Sequence, residues 1–181
     1  VRARMNPCHV LVTRPDGQQQ ALVDRLERDG FQVSHQPALV IEPLVGTDAT
    51  LDCLRHIQRY EIAVLTSPNV AVMLLEALAE VSRDVLAGVT WLAVGEATAQ
   101  VLRNAGLHVE CPEQGFDSEA LLALSPLERV RGRRVLLVRG EGGRGLLAPT
   151  VQERGALLDE AVLYRRVCNG AFRWPARPVQ V

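Results

Sequence analysis

Three segments of this chain share one grammar: TSPNV (66–70), VGEATAQVL (94–102) and VLLVRGEGGRGLL (135–147). Each runs from an apolar strand into a turn rich in Gly, Ser or Thr, and then into a helix. Apolar runs without alternation belong to strands buried on both faces of a parallel sheet. Each such unit aims an open helix N-terminus at one edge of the sheet. That edge carries free backbone N–H groups and a positive dipole end, so it binds anions without a cationic side chain. In open α/β sheets it is also where ligands sit.

The rest of the chain repeats the alternation. HVLVTR (9–14) reads as a buried strand, followed by a helix over 17–29 with Leu22 and Leu26 on one face and Gly30 as its stop. Phe31–Leu44 is extended, and Pro37 and Pro43 make 36–44 a linker rather than a central strand. A short helix carries Leu51, Leu54 and Gln58. Strands are expected at 62–67, 91–95, 108–111 and 134–139, and helices over Val70–Val81, Ala97–Ala105 and Ser118–Leu124. A last helix contains Pro149 in its first turn and stops at Gly155. Leu157–Val167 is a second linker strand, running back beside the first.

The expected architecture is therefore α/β. Domain 1 takes 1–37 and 168–181, domain 2 takes 45–156, and 36–44 and 157–167 are the linkers. Residues 9–35 supply one strand, one helix and part of another strand, which cannot bury their own apolar face. Domain 1 is thus expected to be incomplete here and to continue past Val181.

Composition narrows the function. The chain has 181 residues and a net charge of −1, which gives no support for a general nucleic-acid or membrane-surface role. No apolar run approaches a membrane span, and the first residues lack a signal-peptide core, so the cytoplasm is the expected compartment. Cys8, Cys53, Cys111 and Cys168 are scattered and read as buried reduced thiols; the histidines show no ligand spacing, so no metal is expected. All 20 basic residues are Arg, which excludes a Schiff-base or P-loop lysine. No GxSxG, HExxH or Walker motif occurs.

Several residues fall at the ligand edge. Thr66 and Ser67 end a strand ahead of Pro68, which suits the first helical position. Thr98 lies in the first turn after Gly95, and Ser118 is a helix cap with Glu119 beside it. Each of these is also explained by local capping or turn solvation alone. Arg14 ends the first strand and would face the same cleft from the other body. In RGEGGRG, Gly140, Gly142 and Gly145 match GxGxxG, with Glu160 about twenty residues on. That fingerprint belongs to the first βα turn of a dinucleotide fold, whereas this one sits in the last. Gly140, Gly143 and Arg144 are better read as an anion-binding glycine loop. Tyr164, in the second linker, matters if that linker walls a cleft; its phenol could then donate a proton.

These segments, in order, resemble uroporphyrinogen-III synthase. HVLVTRPDGQQQALVDRLERDGF resembles that family's first βα unit, and LTSPNVAVMLLEAL its TSPNAV segment. LAVGEATAQVLRNAGLHVECPEQGFDSEALL and VLLVRGEGGRGLLAPTVQERGALLDEAVLYRRV are similar to two further stretches. The resemblance covers 9–167.

It implies two Rossmann- or flavodoxin-like parallel-sheet domains joined by a two-stranded β ribbon. It also implies a cofactor-free hydro-lyase that closes linear hydroxymethylbilane to uroporphyrinogen III, inverting ring D through azafulvene and spiro intermediates, in tetrapyrrole and haem biosynthesis. It places Tyr164 as a proton donor to the departing hydroxide, assisting rather than indispensable, because phenols are weak acids at neutral pH. Arg14, Thr66, Ser67, Thr98, Ser118, Gly140, Gly143 and Arg144 would hold the carboxylates of this flexible polyacid. The expected partner is that linear tetrapyrrole, with functional coupling to hydroxymethylbilane synthase. No nucleic acid or membrane is expected, and the chain is expected to act as a monomer. Two other readings stay open: a non-catalytic ligand-sensing relative of the same fold, and a nucleotide-binding α/β protein using RGEGGRG.

Overall fold

The computed structural model describes residues 8–44, 47–115, 117–143 and 145–174. In chain order it contains β1 (His9–Val12), α1 (Gln20–Arg28), β2 (Gln32–His35), β3 (Leu39–Pro43), α2 (Asp48–Arg55) and a 3-10 turn (Ile57–Arg59). There follow β4 (Ile62–Leu65), α3 (Pro68–Ala77), α4 (Arg83–Ala87), β5 (Thr90–Ala93), α5 (Glu96–Asn104) and β6 (Val109–Glu110). The last elements are α6 (Ser118–Leu122), α7 (Ser125–Glu128), β7 (Arg134–Gly140), α8 (Leu147–Glu153) and β8 (Leu157–Cys168). The chain divides into two compact units, one drawn from the segments up to Glu42 and from Arg166 onward, the other Pro43–Arg165.

In the smaller unit β1 and β2 pair in parallel, from His9 opposite Gln32 to Val12 opposite His35. Leu11 and Val12 are buried, but α1 buries no residue fully, its apolar stripe of Leu22, Val23 and Leu26 remaining partly exposed.

The larger unit holds the main core. Its strands belong to a six-stranded sheet ordered β3-β8-β7-β4-β5-β6 among the described residues. From β8 to β6 every pairing is parallel. β3 is the exception: the Leu44 N–H donates to the Leu163 carbonyl and the Asn169 N–H to the Ala38 carbonyl, which is antiparallel. The sheet is therefore mixed, not purely parallel.

The unbroken apolar runs have their expected cause. Ile62 and Val64, Leu92, Val135 and Leu137 share a core with Leu121, Leu122, Leu127, Leu147 and Val151 of α6, α7 and α8. The alternate strand residues Ala63, Leu65, Trp91, Ala93, Leu136 and Val138 are buried on the other face, where α3 and α5 pack on each other. Right-handed crossovers explain why helices before and after the return to β7 take opposite faces.

Several sequence expectations change. The helix expected over Val70–Val81 starts at Pro68 and ends at Ala77; the chain then tightens, with Ala79 N–H on Glu76 O and Val81 N–H on Leu78 O, before α4 begins. Ser118 does not cap a helix through Leu124: Asp117 does, accepting the Ala120 N–H at 2.9 Å, and α6 stops at Leu122. Leu157–Val167 does run back beside β3, and in addition Leu157 to Tyr164 pair with β7, which the sequence did not suggest. Of the cysteines, all unpaired, Cys53 is buried but Cys8 and Cys168 are exposed.

Candidate functional site

The parallel order β7-β4-β5-β6 brings four strand carboxyl ends to one edge of the larger unit, with β8 paired beside β7 as far as Tyr164. The chain moves outward from β4 through β5 and β6, then returns to β7 on the other side of β4. Between the ends of β4 and β7 the helices therefore leave to opposite faces, the kind of switch point at which α/β sheets hold ligands.

Thr66 and Ser67 stand on one side of this reversal. The Thr66 N–H and Oγ1 both donate to the Val138 carbonyl, at 3.2 and 3.4 Å, tying the end of β4 to β7. Ser67 is the N-cap of α3, extended at φ −163°, with Oγ accepting the Val70 N–H at 3.4 Å and Pro68 at the first helical position.

Gly140 stands on the other side. β7 and β8 keep one register from Arg134 opposite Leu157 to Arg139 opposite Val162, and then Gly140 faces Tyr164. One extra residue, Leu163, is thus inserted in β8. Such a bulge resets side-chain alternation, and Leu163 and Tyr164 are both buried, Tyr164 to 1 % exposure. The Tyr164 ring lies flat against the Gly140 Cα: a Cβ there would sit 2.5, 2.7 and 2.9 Å from three ring carbons. Its hydroxyl lies 3.3 Å from Ser67 Oγ.

Thr66, Ser67, Gly140 and Tyr164 thus form one cluster. The other expected site residues are distributed differently. Thr98 lies in α5 and is 1 % exposed, not on an open turn. Ser118 follows the cap of α6, beyond β6 at the edge of the sheet. Gly143 is exposed at φ +113° with open space around it. Arg14 belongs to the smaller unit, where it is exposed and its carbonyl accepts from His35 Nε2 at 2.8 Å. Arg144 lies outside the described residues.

Sequence reasoning missed Arg139. Its Nε donates to Glu160 Oε2 at 2.5 Å, and its Nη1 to the carbonyls of Gly140 and Gly142 at 3.2 and 3.4 Å. It fastens the glycine turn to β8. Glu160, which the dinucleotide fingerprint would assign to a ribose, is engaged by that pair. The signal lay in an arginine and a glutamate about twenty residues apart on two strands, but only the parallel register makes them neighbours.

Two shifted acids lie away from the cluster. Burial, with Cys53 and then Asp159 beside it, pushes the Tyr60 phenol far above its ordinary value; its hydroxyl donates to Asp159 Oδ2 at 2.9 Å. At the start of α5 the Arg103 guanidinium holds the Glu96 carboxyl below the usual carboxylate range.

The family model described as uroporphyrinogen-III synthase HemD matches residues 20–174. The uroporphyrinogen-III synthase of Proteus mirabilis is 33 % identical over 161 residues, covering 87 % of this chain and 80 % of that protein. The Escherichia coli enzyme of the same name is 29 % identical over 177 residues, covering 94 % and 72 %. Among solved structures, uroporphyrinogen III synthase of Thermus thermophilus superposes with a TM-score of 0.55 at 24 % identity, covering 90 % of this chain and 63 % of that one. Uroporphyrinogen-III synthetase of Helicobacter pylori gives 0.54 at 18 %, covering 92 % and 65 %. This chain spans just under two thirds of those solved chains, and their likeness shows the α/β fold. With the family model matched over most of its length, the chain belongs to the uroporphyrinogen-III synthase family.

Proposed function

We propose that this chain carries uroporphyrinogen-III synthase activity, a cofactor-free hydro-lyase reaction that closes hydroxymethylbilane to uroporphyrinogen III with ring D inverted and water lost. The observation that carries the reading is the family match over residues 20–174. The carboxyl edge of the larger unit supplies a physical means. A linear tetrapyrrole with eight carboxylates needs many anion contacts and one imposed conformation. The N-termini of α3 and α5 open at that edge and bind carboxylates through backbone N–H groups. Holding the chain so that the substituted carbon of ring D attacks first accounts for the regiochemistry by positioning. The Ser67–Tyr164 pair supplies a proton for the departing hydroxide.

Within this reading Thr66, Ser67, Gly140, Gly143 and Arg144 serve the glycine-loop side and Ser118 the α6 side, Arg14 is a carboxylate contact of the smaller unit, and Thr98, buried in α5, supports the first turn of that helix from within. The chain is read as two α/β domains, 1–37 with 168–181 and 45–156, joined by 36–44 and 157–167. The break into units near Glu42 and Arg166 supports that division. The reading includes a monomer in the cytoplasm, coupled to hydroxymethylbilane synthase. No described helix is long and apolar enough to cross a membrane. The nucleotide reading is disfavoured, since Glu160 is paired with Arg139.

The test supplies the bilane from hydroxymethylbilane synthase and separates the oxidised products by isomer. An excess of the III isomer is expected. Only the I isomer, the spontaneous product, refutes the activity.

A further inference from the structure

The Tyr164 phenol is in the right neighbourhood for a proton donor but in the wrong position to touch a ligand. It is 1 % exposed, with Gly140 pressed against its ring. Ser67, 3.3 Å from the phenol oxygen, is partly exposed at the carboxyl end of β4. Its Oγ already accepts the Val70 N–H. A hydroxyl oxygen that accepts from Val70 N–H and from the Tyr164 O–H has its own proton left to donate in a third direction.

We infer that Ser67 is the group that touches the substrate's leaving hydroxyl, and that Tyr164 acts through it. This rests on the proposed synthase activity. In the step, the C–O bond of the hydroxymethyl group breaks, driven by the pyrrole nitrogen's electron pair. The oxygen leaves as water carrying the Ser67 proton, and Ser67 takes the Tyr164 proton. The substrate is left as an azafulvenium cation and Tyr164 as phenolate. The cation bonds to the substituted carbon of ring D to give the spiro intermediate, that carbon's old bond to the bridging carbon breaks, and the bridge re-bonds at the unsubstituted α-carbon of ring D, whose proton then returns through Ser67 to the phenolate. The sum is the loss of one water from the substrate. Gly140 is a positioning residue: a side chain there would drive the ring off the line to Ser67.

The experiment compares Ser67→Asn, Ser67→Thr, Tyr164→Phe and the Asn/Phe double variant in the full chain. Asn keeps an acceptor for the α3 cap but has no hydroxyl; Thr keeps both. With bilane as substrate, Ser67→Asn and Tyr164→Phe should each lower kcat by roughly 100-fold, in the range of lost acid catalysis, with KM little changed. The double variant should fall no further, and Ser67→Thr should restore the rate. Wild-type kcat in Ser67→Asn, or a double variant that falls by the product of the two factors, overturns the inference.

A second readout needs no activity. The chain has two tyrosines, Tyr60 and Tyr164, so 13Cζ-tyrosine NMR gives two resonances, assigned with Tyr60→Phe. Ser67→Asn should move the Tyr164 resonance and Ser67→Thr should leave it near wild type. A resonance unmoved by Ser67→Asn overturns the pairing. A wild-type chain that forms only the I isomer sinks the proposed function instead, and this resonance then decides the Ser67–Tyr164 pair by itself.

Discussion

Gly140→Ala puts the central contact of the cluster under direct strain. Carbon atoms rest about 3.5–4.0 Å apart, yet the new methyl would meet three Tyr164 ring carbons at 2.5, 2.7 and 2.9 Å. The ring must retreat by about 1 Å to restore contact distance. It is buried in a packed interior with little room to yield, and overpacking of this kind costs about 1–3 kcal/mol. The backbone adds no strain, because Gly140 is not among the positive-φ glycines. Replacing Gly by Ala at such a position otherwise stabilises by about 0.4–1 kcal/mol through the unfolded chain. The net expectation is a loss of roughly 1–2 kcal/mol, seen as a lower urea midpoint at unchanged slope. At this chain length that corresponds to a melting temperature lower by about 2–8 °C. The cost should largely vanish when the same change is made in a Tyr164→Leu background, giving a coupling energy of the kind contacting residues show. Stability equal to or above wild type, or an equal cost in both backgrounds, would refute the reasoning.

Other outcomes follow from the same structure. Tyr60→Phe should cost about 1–2 kcal/mol through the lost bond to Asp159. Because the folded phenol titrates above its unfolded value, its stabilisation is complete below pH ~10 and fades as pH rises further; urea midpoints of wild type should fall on that alkaline limb more steeply than those of Tyr60→Phe. Arg139→Ala should free the Gly140–Gly143 turn, raising its amide hydrogen exchange with a global cost under about 1 kcal/mol, since the ion pair is about a third exposed; unchanged exchange there would argue against the clamp. Asp117→Ala should cost about 1 kcal/mol and Ser118→Ala much less, because Asp117 holds the Ala120 N–H; a thermal melt of each distinguishes the two.

The parallel strands were legible because their apolar runs reflect burial on two faces, a property of local composition. Ser67 was legible for a similar reason: a serine between a strand and a proline-started helix has one geometry available. Ser118 was misread because Asp117 and Ser118 are both good caps and adjacent, so pattern alone cannot choose between them. The helix from Pro68 was read too long because Leu78 and Val81 continue the apolar period after the hydrogen bonds have tightened.

The sequence by itself determined which segments become strands and helices and that glycine- and hydroxyl-bearing turns follow them. Backbone sterics and apolar period act over a few residues, so neighbouring residues record them. Only the tertiary structure decided that Tyr164 is enclosed, that it meets Ser67, and that Arg139 holds Glu160. These depend on the register of β7 against β8, on one inserted residue, and on the return of the chain across β4. Register and bulges are settled by pairing between residues distant in the chain, and no local pattern records that choice.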